Sequence, residues 1–282
     1  MAESATAMDP SLRLREAVAD GSLNLPVLPS VAADVLALSQ SEDGDAAGLA
    51  GLIQTDPALA SNVLRIVNTP AFRGAAEIVA LQQAIARLGM GRIREIALSI
   101  AVKSALTQPG PYGALVQEAW QDALATGLWA REVARACRKN VENAYLCGLL
   151  HNIGVPVALH GLTAICEDGA VEPPSAEPAL SLAVDMLRPA GVALVERWKL
   201  PALVATFIAH EGPYDSAGEH ADLIATVDLG ISLAGAMKHG PIEPDRVQED
   251  AAVAWLHLYP DDMQGLLALE TSVTDQLRDL NA

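Results

Sequence analysis

Apolar residues in this chain recur at every third or fourth position, segment after segment, and nowhere do they alternate over a useful length. A spacing of three to four lines side chains along one face of a helix, whereas a half-buried strand needs a period of two. The fold class expected is therefore all-α. Hydrophobic residues make up 51% of the sequence but aromatic ones only 4%, so the helices must pack closely through small Ala, Leu and Val side chains.

Turn chemistry divides the periodic stretches. Leu12, Leu14 and Val18 mark a short helix over Ser11–Asp20, which Gly21 ends. Leu25-Pro26-Val27-Leu28-Pro29-Ser30 reads as extended, because a residue before proline avoids the helical region; Ser30 then caps a helix carrying Val31, Val35 and Leu38. Ala46–Gln54 is another short helix. At Asp56-Pro57, Asp caps and Pro takes the first helical position, where its missing N–H costs nothing. Leu59, Val63, Ile66 and Val67 form that helix's buried stripe, and Asn68 can cap its end. Leu81–Leu88 and Arg92–Leu106 follow as helices, and Thr107–Gly113, rich in Pro and Gly, is the first clear linker.

Trp120–Lys139 reads as a long helix with Leu124, Leu128, Val133 and Cys137 inward. Arg131, Arg135, Arg138 and Lys139 fall together, either as a solvated stripe or as a surface for a partner. Glu167–Pro178 is expected to be a loop, followed by helices over Leu180–Leu187, Val192–Trp198 and Leu203–His210, a loop over Gly212–His220, and a buried helix over Leu223–Met237 carrying Asp228. Two C-terminal helices are expected, about Arg246–His257 and Asp261–Leu280. The stripe Leu266, Leu269, Val273, Leu277 and Leu280 in the last must pack on the body or on a second copy.

The formal net charge of -17 repels phosphate backbones and anionic lipid, so neither nucleic acid nor a membrane surface is an expected partner. Leu223–Met237, the longest apolar candidate for a membrane span, is interrupted by Asp228. Met1–Pro10 has no basic start and no apolar run, so no secretory signal is expected. Cys137, Cys147 and Cys166 form no CxxC pair and read as reduced thiols in a cytoplasm.

The chemistry-bearing stretch is Gly148-Leu149-Leu150-His151-Asn152-Ile153-Gly154. Tyr145, Leu146, Leu149 and Leu150 upstream are spaced as one buried helix face, which places His151 near the end of a core helix. Gly154 reads as the left-handed residue that closes it and Pro156 as a stop. A core histidine bonded to a backbone carbonyl is the plain account; a metal ligand is the sharper one.

Taken together, Leu25-Pro26-Val27-Leu28-Pro29, Asp56-Pro57-Ala58-Leu59 through Asn68, Ala84-Ile85 with Leu88-Gly89, Trp120 heading a long helix, the Gly148–Gly154 stretch and Trp198-Lys199-Leu200-Pro201 resemble the HDOD family, a helical regulatory module of bacterial signalling proteins related to HD-superfamily metal phosphohydrolases. The likeness runs from about Leu25 to Asp228. It implies a two-lobed helical bundle: an N-terminal tail and helix over 1–22, an N-terminal lobe over 23–108 packed on an HD-like lobe over 114–238, and a C-terminal extension over 245–282. An active HD enzyme holds divalent metal with a histidine, a His-Asp pair and a distant aspartate. Matched residue by residue, these fall on Asp122, on His151-Asn152 and on Asp228, with His210 where some relatives carry another histidine. Asn152 is the serious departure, since a neutral amide is a poor ligand for a hard cation. His210-Glu211-Gly212-Pro213-Tyr214 also departs from the signature of the cyclic-dinucleotide phosphodiesterases.

The resemblance therefore implies no enzyme, no cofactor and no metal, but a vestigial site in a module that binds another signalling protein, such as a histidine kinase or a cyclic-di-GMP enzyme. A homodimer stays open. Two other readings stand beside it: a nucleotide or small-ligand receptor in the remnant cleft, and a residual metal-dependent phosphohydrolase.

Overall fold

The computed structural model describes residues 9–39, 45–72, 74 and 76–281. Every regular element among them is a helix. The N-terminal part holds α1 (Pro10–Asp20), α2 (Ser30–Ser39), α3 (Ala46–Gln54), α4 (Pro57–Val67), α5 (Leu81–Leu88) and α6 (Met90–Leu106). The HD-like part holds α7 (Gly113–Ala136), α8 (Val141–Leu150), α9 (Gly154–Asp168), α10 (Ala176–Asp185), α11 (Leu187–Arg197), α12 (Ala202–Ala209) and α13 (Ala221–Met237), with a 3₁₀ turn at Tyr214–His220. The chain ends in α14 (Pro244–Gln248), α15 (Ala251–Trp255), α16 (Pro260–Leu267) and α17 (Glu270–Asn281).

The cap at Asp56 acts where the sequence places it, whereas Ser30 is the first residue of α2 and the Pro29 carbonyl accepts that helix's first backbone bonds. Asp56 accepts from the backbone N–H of Ala58 and Leu59, and Pro57 opens α4. Asn68 does more than end that helix. Its amide donates to the Leu64 and Ile78 carbonyls and its oxygen accepts from Ile78 N–H, each at 2.8 Å, which ties the following loop down at both ends.

α7 is the axis of the molecule, buried from Ala123 to Ala134 and packed between α8 and α13. Small residues set the spacing. A Cβ on Gly148 would lie 2.8 Å from the Gly127 Cα, and one on Gly230 would lie 2.9 Å from the Ala130 nitrogen. The two lobes share a continuous apolar core that runs from Leu14 to Leu280. Two of the sequence motifs meet across it: the Trp198 indole donates to the Pro26 carbonyl at 2.8 Å.

Three expectations are corrected. Gly154 does not close a helix; it opens α9, with Pro156 in the first turn, where a missing N–H leaves no bond unmade. Its glycine is needed for proximity, since a Cβ there would fall 1.8 Å from the Leu187 carbonyl oxygen. The two long C-terminal helices are four short ones. Asp250 caps α15 by accepting from Ala252 N–H, and His257 takes a left-handed φ of 54° that stops it. The longest apolar helical stretch is Val141–Asp168 rather than Leu223–Met237; it is long and apolar enough to cross a membrane, but 67% of its apolar 18-residue window is buried inside the fold, so core packing accounts for its character.

The leucine stripe of the last helix packs on the body. Val273 and Leu280 are buried, Asp279 accepts from Ala71 N–H at 2.8 Å, and Asn281 takes bonds from Lys103 and the Trp120 indole. α17 thereby fastens α6 to α7.

Candidate functional site

α8 stops at Leu150, and His151 and Asn152 lie in the turn before α9, both half-buried. His151 Nδ1 sits 2.8 Å from the Gly148 carbonyl. Burial lowers the imidazole pKa, opposed by the Gly148 carbonyl and by Asp122. The ring is therefore neutral at neutral pH, with Nδ1–H donating to the carbonyl, which can only accept. Asn152 Nδ2 donates to the Ala119 carbonyl on α7 at 2.9 Å. A carboxylate could not make that bond, so the amide that departs from the HD pattern staples this turn to the central helix.

Asp122 on α7 is near enough to His151 to act on its pKa. Its carboxylate, however, already has a cation: Lys238 Nζ, just beyond α13, lies 2.5 Å from Asp122 Oδ1. Lys238 carries no signal in the sequence analysis, because only the packing of α13 on α7 brings it there.

Asp228 and His210 are not part of this neighbourhood. α13 runs antiparallel to α7, with Gly230 against Ala130 and Lys238 against Asp122. The ten residues from Asp228 to Lys238 span about 15 Å at 1.5 Å per residue. Asp228 instead faces a cleft of about 900 Å³ whose walls include Tyr214, Trp255 and Asp222. Burial raises its pKa; a hydrogen bond from the Tyr214 hydroxyl opposes the rise, Asp250 adds to it and His210 opposes it. Among the described residues, no three His, Cys, Asp or Glu side chains converge to hold a metal ion. The residues present do not fit the metal of the HD enzymes: one carboxylate is neutralised, one is replaced by an amide, and one is elsewhere.

Of the basic residues assigned to a partner surface, Arg135 and Arg138 are exposed, but Arg131 is not. Its side chain is 1% exposed. It donates to Glu132 Oε1 through Nε and Nη2 at 2.8 and 2.7 Å, to Glu95 Oε2 at 3.1 Å and to Gln276 Oε1 at 2.9 Å. Arg92 donates to the same Glu95 oxygen at 2.8 Å, and Arg135 pairs with Glu132. This junction of α6, α7 and α17 was missed in the sequence. A signal existed: Arg131 follows Leu124 and Leu128 at helical spacing, which puts it on the inward face.

The HDOD domain profile matches residues 25–213, more than half of the sequence. The chain belongs to the HDOD family. An uncharacterized protein from Treponema pallidum (strain Nichols) is 26% identical over 226 residues, which is 76% of this chain and 43% of that protein; the HDOD chain thus spans under half the length of that relative. Among solved structures, an HDOD domain protein of unknown function from Geobacter sulfurreducens superposes with a TM-score of 0.71 at 20% identity, covering 96% of this chain and 98% of that one. A protein from Shewanella amazonensis, provisionally named a phosphohydrolase, gives 0.69 at 20% identity over 95% and 96%. One from Marinobacter aquaeolei, provisionally named a signal transduction protein, gives 0.66 at 20% identity over 99% and 68%. At these identities the likeness concerns fold alone, and the fold likeness runs past the HDOD profile through the C-terminal helices.

Proposed function

We propose that this HDOD protein is a non-catalytic signalling module that acts in the cytoplasm by binding another signalling protein, such as a histidine kinase or a cyclic-di-GMP enzyme, and not nucleic acid or a membrane. The observation that carries this reading is the Lys238–Asp122 pair at 2.5 Å. An ammonium occupies the carboxylate that a divalent cation would need, and metal-activated water depends on anionic ligands. Asn152 strengthens it by spending its amide on the Ala119 carbonyl. The fold shared with a provisionally named signal transduction protein agrees with the setting. Arg135 and Arg138, exposed at the end of α7, are the candidate contact for an acidic partner surface.

The test is capture from the native cell with in-cell cross-linking, followed by identification of the cross-linked protein. A signalling enzyme recovered with wild type, and reduced at least severalfold with Arg135→Glu/Arg138→Glu, supports the reading. Recovery of no protein above background would count against it.

A further inference from the structure

The cleft of about 900 Å³ that Asp228 faces is walled by the 3₁₀ turn at Tyr214–His220, α13 and α15. Most of its wall falls outside the residues 25–213 matched by the HDOD profile. Two aromatic rings stand in that wall: Tyr214 and Trp255, with centroids 5.4 Å apart and planes inclined at 58°. Ala251, Ala254 and Leu256 extend the apolar surface. The lining also carries Asp215, Asp222, Asp228, Lys139 and His257. Asp222 is already paired: Lys139 Nζ lies 2.5 Å from its Oδ2, the Trp255 indole donates to its Oδ1 at 3.0 Å, and His257 acts on the same carboxyl. Asp228 has no such partner. It is half-buried, and the groups that act on its carboxyl are the Tyr214 hydroxyl, Asp250 and His210, with no lysine or arginine among them.

We propose that this cleft binds a small organic cation, an ammonium on an apolar stem, with its charged head at Asp228 and its stem along Tyr214 and Trp255. The lining sets the sign of the charge. With Lys139 engaged by Asp222, the carboxylates left over are Asp215 and Asp228, so an anionic ligand such as a nucleotide meets like charge. The walls set the kind of cation. Among the described residues no three His, Cys, Asp or Glu side chains converge to hold a metal ion, and a hard metal needs several oxygen ligands. Aromatic faces instead attract organic cations, and an apolar wall with a few polar groups is the usual build of a small-molecule site. Burial and Asp250 both work against the charged form of Asp228; a cation beside it offsets both. The inference does not use Arg135 or Arg138 and stands without the partner proposed above.

Saturation-transfer NMR and calorimetric titration of the full chain with hexylamine, 1-hexanol and hexanoate at neutral pH test it, since the three share one stem and differ only in the head. Hexylammonium is expected to bind about tenfold more tightly than hexanol, the increment of a hydrogen bond to a charged acceptor, and hexanoate to give no transfer. Asp228→Asn keeps an oxygen for the Tyr214 hydroxyl but removes the charge, and should bring hexylammonium down to the level of hexanol. Ala254→Lys, at an exposed position of the cleft wall, places a resident ammonium there and should weaken hexylammonium by a similar factor; thermal melts confirm that both variants are folded. Equal affinity of wild type for hexylammonium and hexanol would overturn the proposal, as would the absence of transfer from hexylammonium. Binding of hexylammonium that both variants leave unchanged would also overturn it, because it would then reflect only the net charge of -17.

Discussion

The neighbourhood of His151 and the junction around Arg131 both bury polar groups at α7, but they are organised in opposite ways. Around His151 each group is satisfied locally and singly: the imidazole by Gly148, Asn152 by Ala119, Asp122 by Lys238. At the junction each buried charge is shared between partners, Glu132 between Arg131 and Arg135. Arg131 serves Glu95, Glu132 and Gln276, which lie on three different helices, and Glu95 also takes Arg92. In the first region each polar group acts as a local fastener. The second is a structural joint on which the relation of the lobes and α17 depends. The difference shows that the charges around His151 are paired off one to one, and that the concentrated charge sits at the lobe contact.

The largest effect that this contrast predicts is at Arg131. Arg131→Met leaves Glu95 and Glu132 buried without their shared cation and should destabilise the protein by about 3–5 kcal/mol, measured by urea denaturation. Arg131→Lys should recover little of it, because an ammonium cannot reproduce the fork that serves three acceptors. A loss under about 1 kcal/mol would mean that the junction is no more cooperative than a surface pair.

Next in size is a pH response of opposite sign in the two regions. Burial pushes Glu95 from an ordinary 4.5 up to about 7, so the folded state holds a proton that the unfolded state releases. Its contribution is full below pH 4.5 and is lost as pH rises through about 7. His151 works the other way: its pKa is lowered from 6.5 by burial, so the unfolded state takes up the proton first and stability is lost as pH falls below that value. The two slopes partly cancel in wild type. Glu95→Gln should therefore show stability that rises more steeply with pH between 5 and 7 than wild type, and His151→Gln stability that falls more steeply. Parallel curves for all three proteins would remove the distinction.

Asn152→Asp should cost about 1–3 kcal/mol, because it replaces a donor to the Ala119 carbonyl by an acceptor facing it. Unchanged stability on denaturation would show that the turn is held by its backbone alone. The smallest effect is expected at Lys238→Met, a half-exposed pair whose loss should change stability by about 1 kcal/mol or less.

Much of this architecture is readable in the residues. Asp56-Pro57 dictates the start of α4, and the apolar run into His151 puts that side chain where a backbone carbonyl meets it. What stayed hidden depends on contacts distant in sequence. The positions bonded to Arg131 lie on α6 and α17 as well as on α7, so its helix stripe looked solvated when taken alone. Asp228 aligned with an HD ligand by order along the chain, yet the register of α13 on α7, set by Gly230 against Ala130, carries it about two to three helical turns away. Gly154 reads as a cap because glycine permits a left-handed residue; its true constraint is the Leu187 carbonyl of a helix more than thirty residues on. The C-terminal stripe does announce a packed helix, and the break after His257 is legible, but the breaks at Glu249-Asp250 and at Ala268-Leu269 are hidden by continuous apolar spacing.

The claim that the HD-like neighbourhood has lost its metal chemistry is tested most directly by elemental analysis of protein purified without chelators, together with assays on cyclic dinucleotides and guanosine polyphosphates in added manganese. The account predicts substoichiometric metal and no turnover, in wild type and in His151→Ala alike. Near-stoichiometric metal with turnover that His151→Ala abolishes would contradict it.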